Sequence, residues 1–149
     1  MKRCLLLSSL LMVCLTLMAQ DYLLPLGGRR QYRVCITAKD AVVTGICIVK
    51  TDAAGSRGTM VNEFGIHALD FSLSADRKQV KLQRVMAAMD HWYVRRVVRK
   101  DLRLLFGATA EGEQSGKRVV TSEPDGTVVL TNKKYKLKYS FKEINETAE

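Results

Sequence analysis

Met86–Phe106, MAAMDHWYVRRVVRKDLRLLF, is the stretch whose reading decides the fold. Laid out at 100° per residue from Trp92, it has two faces. Val94, Val97, Val98, Leu102, Leu104 and Leu105 fall on one side, with Tyr93 at its edge. Arg95, Arg96, Arg99, Lys100 and Arg103 fall on the other, with Trp92 beside them. Asp101 interrupts the apolar stripe, and a charge there needs a partner such as an Arg or a Tyr, because burying it alone is costly. The stripe does not line up across Asp90-His91, so a bend is expected there. An amphipathic helix of this kind is a cover for something, and its neighbours in the chain say what.

On both sides the period becomes two. Tyr32, Val34 and Ile36 alternate with Arg33, Cys35 and Thr37, a half-buried strand, and Lys39-Asp40 supplies its turn. Val42–Thr51 is a second strand, with Gly45 marking a bulge or a bend. Asp52–Gly58 is expected to be a flexible turn. Thr59–Phe64 is a third strand, Gly65 a break, and His67–Leu73 a fourth in which His67, Leu69, Phe71 and Leu73 share a face. Ser74–Lys78 turns into a fifth strand, Gln79–Val85. After the helix and a polar loop, Ala108–Lys117, the hairpin signal Glu123-Pro124-Asp125-Gly126 joins Arg118–Ser122 to Thr127–Thr131. The last strand is the clearest: Tyr135, Leu137, Tyr139 and Phe141 alternate with Lys134, Lys136, Lys138, Ser140 and Lys142. Runs of strands broken by one helix predict an α+β protein. The expected form is a strongly curved antiparallel sheet, an incomplete barrel of about eight strands, with one long amphipathic helix after the fifth.

The ends of the 149-residue chain set the rest of the frame. Lys2-Arg3, an apolar run from Leu5 to Met18, and Ala19-Gln20 read as a secretory signal peptide over residues 1–20. The run is short for a membrane span of ~20 residues. Cys14 is not expected to carry lipid, because Val13 stands where a lipidation site wants a small residue. Residues 21–30 read as a linker or N-terminal arm, 31–144 as a single domain, and 145–149 as a tail. Losing Lys2 and Arg3 would lower the formal net charge from +9 to +7. An exported cation of this size could meet anionic lipid or an acidic envelope protein, and nucleic acid is not an expected partner. Export would make a disulfide between Cys35 and Cys47 chemically feasible, and two buried thiols are the alternative. Neither a CxxC nor a Cys/His cluster exists, so no metal and no cofactor is expected.

Catalytic signals are thin. Gly58–Phe71, GTMVNEFGIHALDF, collects Glu63, His67 and Asp70, which could work as an acid–base set. No nucleophile accompanies them and no phosphate-binding Gly loop exists, so the expectation is a protein that is not an enzyme, with no catalytic residue assigned. Two distant histidines, His67 and His91, define no metal site.

The order of elements and the text GTMVNEFGIHALDFSLS resemble the periplasmic lipoprotein-carrier group, the LolA/LolB-like proteins and their uncharacterised relatives. The likeness covers roughly Gln31–Phe141. It implies an incomplete barrel around an apolar cavity, and a location in the periplasm or at the outer-membrane periphery of a Gram-negative bacterium. The chain departs from that group in having one strong helix, and the carriers' functional arginine matches no residue here. The expected function is binding of lipid or acyl chains in an apolar cavity, in lipoprotein or envelope lipid trafficking. Its lining is expected from Val80, Leu82, Trp92, Val94, Val97, Leu102, Leu105, Tyr135, Leu137, Tyr139 and Phe141. The rivals are an envelope interaction module working through the lysine face of the last strand or the arginine face of the helix, or a small hydrolase built on Glu63, His67 and Asp70.

Overall fold

A computed structural model describes residues 23, 27–39, 41–107 and 117–145. The expected signal segment, Cys14, most of the 108–117 loop and the last four residues lie outside these. Eight strands form one antiparallel sheet: β1 Gly28–Ala38, β2 Ala41–Asp52, β3 Gly55–Asn62, β4 His67–Ser74, β5 Val80–Val85, β6 Arg118–Ser122, β7 Val128–Asn132 and β8 Leu137–Glu143. Among the described residues there is one α-helix, α1 (Trp92–Phe106), placed between β5 and β6 and preceded by a 3-10 turn at Ala87–Met89. The order across the sheet is β5-β4-β3-β2-β1-β8-β7-β6. Two meanders are therefore joined by the pairing of β1 with β8, in which Val34 lies opposite Phe141. The sheet curls but stays open, and α1 packs against β5 on one edge and β6 and β7 on the other. The expected α+β incomplete barrel is what forms.

Where the elements differ from expectation, packing accounts for it. Asp52–Gly58 is not a loose turn, because only Ala53 and Ala54 connect β2 to β3. Ser56 is buried, within 2.8 Å of the Thr51 hydroxyl. Gly58 lies opposite Phe71, whose ring crosses its α-carbon so closely that a Cβ would sit 2.1 Å from Cζ. Gly58, which looks like loop composition, is there to admit an aromatic ring. β1 starts at Gly28, inside the expected linker, and the preceding arm is anchored: Leu23 is buried, and its carbonyl accepts a 2.7 Å hydrogen bond from the Tyr32 hydroxyl. The helix starts at Trp92 rather than Met86. The Met86 amide is spent on the Ala68 carbonyl, and Asp90 and His91 are extended or turned.

A bulge at Met60/Val61 breaks the alternation in β4: Met60 pairs with Leu69 and Val61 with His67, which leaves Ala68 as the extra residue. His67 consequently leaves the Leu69/Phe71/Leu73 face and approaches Asp70 instead, 3.6 Å away. Register also settles the cysteines. Cys47 lies opposite Tyr32, and Cys35 opposite Thr44. Cys35 lies three positions after Tyr32, an odd offset, so the two thiols point to opposite faces of the sheet, and both are free. The disulfide expectation is corrected accordingly.

Candidate ligand cavity

Strand direction gives the half-barrel two ends. One carries the turns Ala53–Ala54, Ala75–Gln79 and Glu123–Thr127 and the C-terminus of α1. The other carries the turns between β1 and β2, β3 and β4, and β7 and β8, together with the helix start. The first end is solid. Phe106 from the last turn of α1 packs on Phe71 at 5.1 Å and meets Phe141 edge-on at 5.6 Å, while Tyr32 meets Phe141 at 6.3 Å. Leu105, Leu73 and Val80 are buried in the same mass. Gly107 ends the helix so close to its own turn that a Cβ would lie 2.3 Å from the Arg103 carbonyl oxygen.

The second end is hollow. A cavity of about 380 Å³ opens there between α1 and the concave face of β1–β4 and β8. From the helix it is lined by Tyr93, Val94, Val97, Val98 and Leu102. β1 contributes Val34 and Ile36, β2 Val43, β3 Met60 and Val61, and β4 Ala68 and Leu69. The β7–β8 turn and β8 supply Tyr135, Leu137 and Tyr139, and Met89 reaches in from the 3-10 turn. The hollow exists because small residues stand where large ones would fill it: Ala38, Ala41, Gly45 and Ala68 all border it. Gly45 is fixed by its neighbour strand, since a Cβ would lie 2.1 Å from the Val61 carbonyl oxygen.

Asp101 explains how the helix is held over this space. Its carboxylate is fully buried and accepts from Arg118 Nε, from Asn132 Nδ2 at 3.1 and 3.2 Å, and from the Tyr139 hydroxyl at 3.0 Å. Three consecutive strands, β6, β7 and β8, thus grip one helical residue. Burial, reinforced by the adjacent carboxylate charge, raises the Tyr139 pKa well above the ordinary phenol value, so that its proton stays in place. With that hydroxyl spent on Asp101, Tyr139 offers the cavity its ring.

Of the expected lining, Val94, Val97, Leu102, Tyr135, Leu137 and Tyr139 do border the cavity. Val80, Leu105 and Phe141 are instead part of the solid end, and Leu82 packs against it. Trp92 points outward, 75% exposed, at the rim. The basic residues Arg96, Arg99, Lys100 and Arg103 lie on the exposed side of α1. Arg95 is partly covered and paired with Asp90. The sequence did not disclose the share of β1 and β2, because alternation marks an inward face without saying which end of the strand meets bulk. The small inward residues Gly45 and Ala68 were the available signal.

Glu63, His67 and Asp70 lie away from the cavity. Glu63 is exposed in the β3–β4 turn, where the Asn62 carboxamide oxygen accepts the amides of Phe64 and Ile66 at 3.0 and 2.9 Å. Asp70 sits between His67 at 3.6 Å and Arg84 at 3.7 Å. Among the described residues no group of three or more His, Cys, Asp or Glu is placed to hold a metal ion, and no helix is long and apolar enough to cross a membrane. No protein-family model and no curated protein matches the chain.

Proposed function

We propose that this protein is an exported, non-enzymatic lipid-binding protein whose cavity takes an acyl chain. One observation carries the reading: the open, almost entirely hydrocarbon cavity of about 380 Å³ beneath α1. Pockets of this size are typical of small-ligand sites. An apolar hollow also costs stability in proportion to its volume, because its walls lack contacts on one side, and an apolar occupant restores them. Polar side chains on the lining are few, and Tyr139 has its hydroxyl committed elsewhere. The matching ligand is an amphiphile with its chain inside and its head group at the mouth. Affinity comes from apolar burial at ~25 cal/mol per Å², less the cost of ordering the chain.

The open half-barrel with a helical cover is also the architecture expected of a lipoprotein-carrier-like protein, and it supports a role in envelope lipid or lipoprotein trafficking. Native mass spectrometry of the purified protein tests the reading. Adducts in the mass range of fatty acids or phospholipids, lost on delipidation, are expected. A protein that stays apo in a lipid-rich extract would overturn it, and the exposed cations of α1 would then make an envelope interaction module the first choice.

A further inference from the structure

The exposed large hydrophobic side chains are not scattered. Phe64 and Ile66 stand in the β3–β4 turn, Trp92 and Tyr93 begin α1, Tyr135 lies in the β7–β8 turn, and Val42 sits beside the β1–β2 turn. All belong to the hollow end, and Tyr93 and Tyr135 border the cavity itself. Phe64 and Trp92 are 79% and 75% exposed, far more than packing asks of such residues. None of the exposed large hydrophobics among the described residues lies in the turns of the solid end. Those turns carry Asp76, Glu123 and Asp125 instead, beside Asp52 at the end of β2 and with Arg77 and Lys78 following Asp76.

Charge follows the same axis. The rim turns hold Lys39, Lys133, Lys134 and Lys136, all exposed, and Arg96 lies just beyond Trp92. Among the described residues the rim's acids are fewer: Glu63 is exposed, and Asp90 is already paired with Arg95. Lys134 lies 5.2 Å from the centroid of the Tyr135 ring, so cation and aromatic form one surface. Lys39 and Lys136 occupy left-handed backbone positions, φ 49° and 55°, where Asn or Gly would fit with less strain.

We infer that this rim docks, mouth down, on an anionic lipid bilayer. Aromatic and aliphatic tips enter the head-group boundary, and the lysines around them meet lipid phosphates. Two copies mouth to mouth would set lysine-bearing turns against each other, which argues against a second chain as the occupant. The surface is defined without reference to what fills the cavity. If the proposed acyl binding also holds, docking lets the chain pass between bilayer and cavity without crossing water.

Trp92 is the only tryptophan in the chain, so its emission reports the rim directly. The full chain is mixed with vesicles of phosphatidylglycerol and phosphatidylethanolamine, and separately with phosphatidylcholine vesicles. A blue shift of Trp92 emission and quenching by brominated acyl chains are expected on the anionic vesicles, weakening as salt rises. Lys133→Gln/Lys134→Gln/Lys136→Gln should lower partitioning onto them by roughly tenfold or more. Phe64→Ser/Ile66→Ser changes exposed side chains and should lower it by about tenfold with an unchanged melt. Unshifted Trp92 emission would overturn the inference, even if the protein sediments with vesicles through another segment. So would a rim-dependent dimer, or capture of a protein partner, without vesicle binding. Because the readout needs no acyl ligand, failure here is distinguishable from an empty cavity.

Discussion

Asp101 shows how far a single residue can be read in advance. Its place in the apolar stripe announces a buried carboxylate and demands a partner. Of the groups that satisfy it, Arg118 and Asn132 lie beyond the loop that follows the helix, so strand pairing alone could bring them to it. Removing one member of such a cluster leaves the others buried without a counterpart. Asp101→Ala is therefore expected to cost about 3–5 kcal/mol in denaturant melts. A loss below ~1 kcal/mol would mean that the cluster is not holding the helix. The cysteines make a second case at this scale. Burial pushes the Cys47 thiol up from 9.0 to about 12, so the folded state favours the protonated form. That contribution is complete below pH 9 and is lost as pH rises toward 12. Peptide-mapped alkylation at neutral pH should modify Cys35 and spare Cys47 until the protein is denatured. A Cys35–Cys47 cross-link in the same map would contradict the register of β1 and β2.

At the level of elements, local pattern was most informative where one face is buried and the other wet. β8 is the clearest instance, with Tyr139 and Phe141 inside and Lys138 and Lys142 outside. The pattern misled where an element's composition answers to a distant side chain. Asp52–Gly58 reads as a turn because the partners its glycines accommodate, the Phe71 ring at Gly58 and the Leu73 carbonyl at Gly55, lie on another strand. In β4 the bulge at Ala68 moved His67 off the inward face, an event with no signature in a single strand. α1 itself divides between two tasks. Leu105 belongs to the solid end and Leu102 borders the cavity, although both are fully buried. Leu105→Ala should cost about 3–5 kcal/mol and leave acyl-probe affinity unchanged. Leu102→Ala should cost less, about 2–3 kcal/mol, and weaken that affinity several-fold. Paired melts and probe titrations check this, and equal losses with unchanged affinity in both variants would show that Leu102 is ordinary core.

On the scale of the whole molecule, the curled antiparallel sheet with a helical cover follows from counting strands and placing one amphipathic helix among them. The closing of β8 onto β1 does not, since nothing in either strand names its partner. Nor does the division into a solid and a hollow end, which depends on where Phe71, Phe106 and Phe141 converge and where Gly45, Ala38 and Ala68 leave room. That division is the basis of the functional reading. Its most direct test is displacement of a fluorescent fatty acid, measured on the wild type and on Val94→Phe. The larger side chain enters the cavity from α1, where filling apolar space typically stabilises by about 0.5–2 kcal/mol. The expected result is saturable probe binding by the wild type, and at least tenfold weaker binding by a Val94→Phe protein that melts no earlier. Probe binding of equal strength in both proteins, or none in the wild type after delipidation, would contradict the account.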